Sequence, residues 1–155
     1  MSASTPCTQQ RILLIDDDEL ICGSLRQYLL MQGCAVDVAL EPSAAVALMA
    51  ENEYSTVVVD PYLTGEIRDN AALVDRVCAL RRSASVIVLT AYGSPALESA
   101  AARGDVTLLL RKPQPVVYLE RLIRGGLPAA DLIPFQQAGQ LHHDPTLALS
   151  LPRKP

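Results

Sequence analysis

Apolar residues in this chain come in two rhythms. Five short blocks are rich in branched aliphatics, four of them nearly unbroken: Ile12–Ile15, Ala35–Leu40, Thr56–Asp60, Val86–Thr90 and Val106–Leu110. Short runs of branched aliphatics predict strands buried on both faces. Ala35–Leu40 (AVDVAL) alternates more than the others and is expected nearer a sheet edge. Between the blocks, apolar residues return at helical steps. The faces are Ile21, Leu25, Tyr28 and Leu29; then Ala45, Leu48 and Met49; then Leu73, Val77 and Leu80 with Val74 and Cys78. Two more follow: Leu97, Ala100 and Ala101, and finally Val116, Leu119 and Ile123. Gly33 is placed to end the first helix, and Pro42 suits the first turn of the second.

Five strands alternating with five helices predict an α/β fold. Its doubly wound five-stranded parallel sheet would have right-handed crossovers and helices on both faces, making three layers, α/β/α. In such sheets a ligand site lies outside the carboxyl ends of the strands. That rule gathers Asp16, Asp17 and Asp18 after the first strand, Asp60 after the third, Thr90 after the fourth, and Arg111 and Lys112 after the fifth.

Composition narrows the class. The 155 residues are 50% hydrophobic and 19% charged, which fits one globular domain with a single sizeable core. Trp is absent and Phe occurs once, so that core is aliphatic. A net charge of -4 argues against a nucleic-acid surface. No apolar run approaches the ~18 residues of a membrane span. The first residues, MSASTPCTQQR, lack the apolar stretch of a signal peptide, so a cytoplasmic location is expected. Cys7, Cys22, Cys34 and Cys78 have no metal-like spacing. They are expected to be free thiols, the last three as small core residues. The reading divides the chain into an N-terminal extension (1–10), one domain (11–125) and a Pro-rich tail (126–155). The tail has no clear periodicity; it either drapes the surface or docks through residues such as Leu132, Ile133 and Phe135. His142 and His143 read as solvated.

Acids at strand ends often only cap the next helix, and Asp18 or Glu19 is read that way. Asp16, Asp17 and Asp60 are different, because they converge with Lys112 from separate strands. Carboxylates of this kind suit Mg2+, a hard cation that takes oxygen ligands and keeps several waters. Asp60, alone at its strand end, suits a carboxylate nucleophile. The Thr90 hydroxyl and the Lys112 charge suit phosphoryl oxygens.

In order along the chain stand ILLIDDD, VVVD with Gly65 five residues after Asp60, VIVLTAYG, and the Lys-Pro pair of RKP. With these motifs the segment from Arg11 to Gly125 resembles the receiver domain of two-component response regulators. The resemblance implies a flavodoxin-like sheet with strand order 2-1-3-4-5. It implies that Asp60 accepts a phosphoryl group. It implies that Mg2+, with Mn2+ as a substitute, is held by Asp16, Asp17, Asp60 and the backbone carbonyl of Tyr62. Thr90 and Lys112 would hold the phosphoryl group, and the bond to Pro113 would be cis. A histidine kinase or phosphotransfer protein would donate.

The chain departs from the family pattern in places. Leu109 stands where an aromatic switch residue is usual, three positions before Lys112. Leu63, Thr64 and Arg68 replace the usual Met, Pro and Gly after Asp60. Tyr92 is read as an ordinary half-buried tyrosine, and the bulk of Tyr62 is expected to slow the approach of water to Asp60. The sequence suggests a stand-alone receiver, not a turnover enzyme. It would signal by protein–protein contact or phosphorelay through Arg103, Leu109, Tyr118 and Arg121. The downstream partner is unidentified, a homodimer is compatible, and neither nucleic acid nor membrane is expected to bind. Three other readings stay open at this level: a receiver-like module that is never phosphorylated, a Mg2+-dependent phosphohydrolase, and a structural role driven by the tail.

Overall fold

The apolar blocks form the strands and the intervening segments the helices in a computed structural model that describes residues 10–63 and 70–125. Along the chain these are β1 (Arg11–Ile15), α1 (Glu19–Met31), β2 (Ala35–Ala39), α2 (Pro42–Glu51) and β3 (Thr56–Val59). Then follow α3 (Asn70–Leu80), β4 (Ser85–Thr90), α4 (Pro95–Ala102), β5 (Leu108–Arg111) and α5 (Val116–Ile123). The strands pair in parallel in the order β2-β1-β3-β4-β5, a doubly wound sheet. AVDVA is an edge strand, in keeping with its alternation.

Successive strand residues face opposite sides. Leu13, Ile15, Val57, Val59, Val86 and Val88 pack under α2, α3 and α4. Ile12, Leu14, Val58, Ile87, Leu89 and Leu110 pack under α1 and α5. Both faces are apolar, which is why the central strands read as unbroken aliphatic runs.

Local signals explain the helix ends. Asp18 caps α1, its carboxylate accepting from the N–H groups of Leu20 and Ile21 at 3.1 and 3.3 Å. Gly33 follows at φ 87°, where its N–H donates to the Leu30 carbonyl and that of Cys34 to the Leu29 carbonyl. Gly104, at φ 80°, ends α4 with the same paired bonds, to Ala101 and from Asp105 to Ala100. Truncation of the cap, Asp18→Ala, is expected to lower stability by about 1 kcal/mol in urea unfolding, with Asp18→Asn retaining most of it. An unchanged midpoint would show that the two cap bonds contribute nothing.

The structure departs from the pattern in three places. Strand β5 begins at Leu108, not Val106: Thr107 already meets β4 through both its N–H and its hydroxyl, on Val86, before regular pairing starts. Helix α5 buries Leu122 and the acid Glu120 as well as Leu119 and Ile123. Of the cysteines, Cys22 and Cys78 are free thiols, whereas Cys34 is disulfide-bonded. Gly65, Arg68, Cys7, His142 and His143, most of the 1–10 extension and the 126–155 tail lie outside the described residues.

Candidate functional site

At the carboxyl end of the sheet the strand order reverses between β1 and β3, and the two crossovers leave in opposite directions. The crevice there is where an open α/β sheet binds ligands. Backbone bonds extend the sheet past the strand ends and set the side chains around it. The N–H of Asp60 donates to the Ile15 carbonyl at 2.8 Å, and that of Lys112 to the Thr90 carbonyl at 2.8 Å.

Three carboxylates meet there. Oxygens of Asp16, Asp17 and Asp60 all lie within 4.8 Å of one another, with Asp16 and Asp60 buried and Asp17 exposed. The Lys112 ammonium lies between two of them, 2.7 Å from Asp16 Oδ2 and 2.8 Å from Asp60 Oδ2. The remaining oxygens are also engaged. Asp16 Oδ1 accepts from the Asp18 N–H at 2.9 Å, and Asp60 Oδ1 from the Tyr62 N–H at 2.9 Å. One ammonium thus bridges two buried carboxylates, with a third, exposed one beside them.

The electrostatics follow from this packing. Burial pushes the Asp16 carboxyl above its usual value, although its bonds to Lys112 and to the Asp18 N–H pull the other way. Burial alone would lower the Lys112 ammonium, but hydrogen bonds to Asp16 and Asp60 outweigh it, so its pKa is raised and the charge is held. The Cys22 thiol, which donates to the Asp16 carbonyl, is pushed up to about 12, first by burial and then by the Asp16 charge. It is therefore protonated at neutral pH and a poor nucleophile.

The donor set fits a hard divalent cation: hard oxygens, three clustered carboxylates, and an exposed side at Asp17 where water ligands can remain. Thr90 ends β4 fully buried, its hydroxyl donating to the Tyr92 carbonyl at 2.9 Å and accepting from the Tyr92 N–H at 3.1 Å. The Lys112–Pro113 bond is cis. Leu109 is buried among Val88, Leu97 and Ala100, so it offers no surface. Arg103 is paired with Asp105, Arg121 is exposed, and Tyr118 lies half-buried beside the α1/α5 core.

Tyr92 is not half-buried but 66% exposed, and its ring meets that of Tyr62 edge-on. The nearness of the two positions, though not the ring contact, had a signal in the sequence. β3 and β4 are neighbours, and each tyrosine stands two residues beyond the polar residue at its strand end, Asp60 or Thr90.

Comparison with known proteins agrees with this architecture. A family model described as the response regulator receiver domain matches residues 12–124. Protein PetR of Rhodobacter capsulatus is 31% identical over 126 residues, which cover 80% of this chain and 48% of PetR. The photosynthetic apparatus regulatory protein RegA of Rhodobacter capsulatus is 28% identical over 106 residues, covering 68% of this chain and 56% of RegA. The chain thus spans about half the length of the curated relatives it matches. Among solved structures, a Burkholderia pseudomallei response regulator with a phosphorylated aspartic acid, calcium ion and citrate is 26% identical at TM-score 0.65, covering 93% of this chain and 76% of its own. A CheY-like receiver domain protein from Methanospirillum hungatei is 21% identical at TM-score 0.67, covering 87% of this chain and 98% of its own, and shares the fold. With a matched segment that runs from β1 to the end of α5 and includes every element of the acidic crevice, the chain belongs to the response regulator receiver domain family.

Proposed function

We propose that this chain receives a phosphoryl group on Asp60 and transmits the signal by contact with another protein. The observation that carries the reading is Lys112 held between Asp16 and Asp60, beside Asp17, at the carboxyl end of the sheet. One cation already bridges the nucleophile candidate and the acid cluster, where incoming phosphoryl oxygens need positive charge.

The donor would be a phosphohistidine of a kinase or phosphotransfer protein, or a small acyl phosphate. An Asp60 oxygen attacks phosphorus as the bond to the leaving group breaks. The electron pair leaves with the imidazole nitrogen, which takes up a proton, or with the departing carboxylate. Asp60 Oδ2 first gives up its bond to Lys112, whose ammonium then follows the phosphoryl oxygens. The Thr90 hydroxyl must turn away from the Tyr92 carbonyl to donate to the same group. Asp16, Asp17, Asp60 and the Tyr62 carbonyl would hold Mg2+, or Mn2+ in its place, and the bound cation would offset charge on the phosphoryl oxygens. The protein is thus a phosphoacceptor, charged and discharged once per signal, and not a turnover enzyme.

No helix among the described residues is long and apolar enough to cross a membrane. The test is incubation of the chain with acetyl phosphate and Mg2+, followed by intact mass. One phosphoryl adduct is expected in the wild type and none in Asp60→Asn or without the metal. An adduct that persists in Asp60→Asn would place the acceptor elsewhere.

A further inference from the structure

Thr90 and Tyr92 are tied to each other twice, hydroxyl to carbonyl at 2.9 Å and N–H to hydroxyl at 3.1 Å. The Tyr92 ring stands against the Tyr62 ring with centroids 5.5 Å apart and planes at 77°, the edge-to-face geometry that aromatic quadrupoles favour. Tyr62 in turn donates its N–H to Asp60 Oδ1 at 2.9 Å. An unbroken line of contacts therefore runs from the Thr90 hydroxyl, through the Tyr92 backbone and two rings, to the Asp60 carboxylate. Lys112, just past β5, also links the Thr90 backbone to Asp60, but β5 itself carries no aromatic side chain, and Leu109 is a buried aliphatic packed under α4.

A threonine hydroxyl has one proton to donate. It cannot serve the Tyr92 carbonyl and a phosphoryl oxygen together. We propose that Tyr62 and Tyr92 form an aromatic clasp that holds the Thr90 hydroxyl away from Asp60 and opens when a phosphoryl group is bound. The clasp rests on Asp60 being the acceptor. While closed, it braces the segment after β4 against the one after β3 and keeps Thr90 committed to its own turn. When Thr90 donates to the phosphoryl group, the Tyr92 segment loses that hydroxyl bond and the ring loses its anchor. Both rings are then free to meet a partner. In this chain the aromatic element of the switch stands beyond β3 and β4, and not on β5.

The clasp predicts coupling, which separates it from two side chains that merely crowd the pocket. The full chain is labelled with 3-fluorotyrosine, and its five tyrosine resonances are assigned with Tyr→Phe variants. Without metal, Tyr92→Ala is expected to shift the Tyr62 resonance, and Tyr62→Ala that of Tyr92. With Mg2+ and beryllofluoride both wild-type resonances should move together toward their positions in those variants. The rate of labelling by acetyl phosphate should rise about threefold in Tyr62→Ala or Tyr92→Ala, because a modest pair interaction no longer holds Thr90 back. The double variant should be no faster than either single one, and Tyr92→Phe, which keeps the ring, should behave as wild type. Additive rates, unlinked resonances, or Tyr92→Phe as fast as Tyr92→Ala would each overturn the clasp while leaving the acceptor in place. A wild type with no adduct at all would remove the Asp60 reading, and the clasp with it.

Discussion

Lys112→Met is expected to cost about 3 kcal/mol of folding stability at neutral pH and to abolish phosphoryl transfer to Asp60. The Lys112, Asp16 and Asp60 side chains are only 15%, 9% and 11% exposed, so solvent screens the pair weakly. Without the ammonium, two buried carboxylates face each other with Asp17 alongside. The pH dependence has a definite sign. The folded pKa of Lys112 is raised, so its stabilisation is complete at neutral pH and is lost only as pH climbs through that raised value. Asp16 also has a raised folded pKa, so stability tied to its protonated form is present in acid and lost as pH rises through that value. Removing Lys112 removes a contribution that lowers the Asp16 pKa, so the deficit of Lys112→Met should shrink as pH falls from neutral toward the carboxylate range. Mg2+ should recover part of the loss by binding the folded state. Urea unfolding of both proteins at several pH values, with and without Mg2+, measures all three effects. A variant as stable as wild type at neutral pH would show that the acid cluster does not depend on Lys112.

Arg124→Met is expected to cost about 2 kcal/mol, although Arg124 belongs to none of the sequence motifs. Glu120 lies with its side chain 6% exposed among the apolar residues of α5, and its carboxylate meets the Arg124 guanidinium at 2.8 Å. Removing the cation leaves a carboxylate inside the α1/α5 core. The expected loss falls below that of Lys112→Met because Arg124 is 31% exposed and partly screened. Arg124 also reaches Gln32 at the end of α1, so the pair links the helices on that face. The double variant Glu120→Leu/Arg124→Met should recover most of the loss, since an apolar pair of similar size removes the charge along with its partner. Chemical denaturation of the two variants decides the matter: a double variant no better than the single one would mean that the guanidinium acts by packing and not by charge.

The acidic crevice was legible in the linear chain for a specific reason. In a parallel sheet every strand ends at the same edge, so residues far apart in sequence share one surface once the strands are recognised. Asp16, Asp60 and Lys112 could be grouped from strand ends alone, and the structure brings them together. The bond pattern within the group was not legible. Which oxygen Lys112 takes, and that the Thr90 hydroxyl faces the Tyr92 backbone and not the acids, depend on backbone angles after each strand that no residue pattern specifies.

By itself the sequence determined the order of strands and helices, the buried faces of both, and the cap and stop of α1, because these follow from periodicity and from local bonds to Asp18 and around Gly33. Only the tertiary structure decided that Glu120 is buried, that Leu109 lies inward and that Tyr92 meets Tyr62. Each of those outcomes depends on packing against another element: α1 over α5, α4 over β5, and the segment after β3 against the one after β4. A side chain's partner across space is set by how the layers pack, and that packing has no period along the chain.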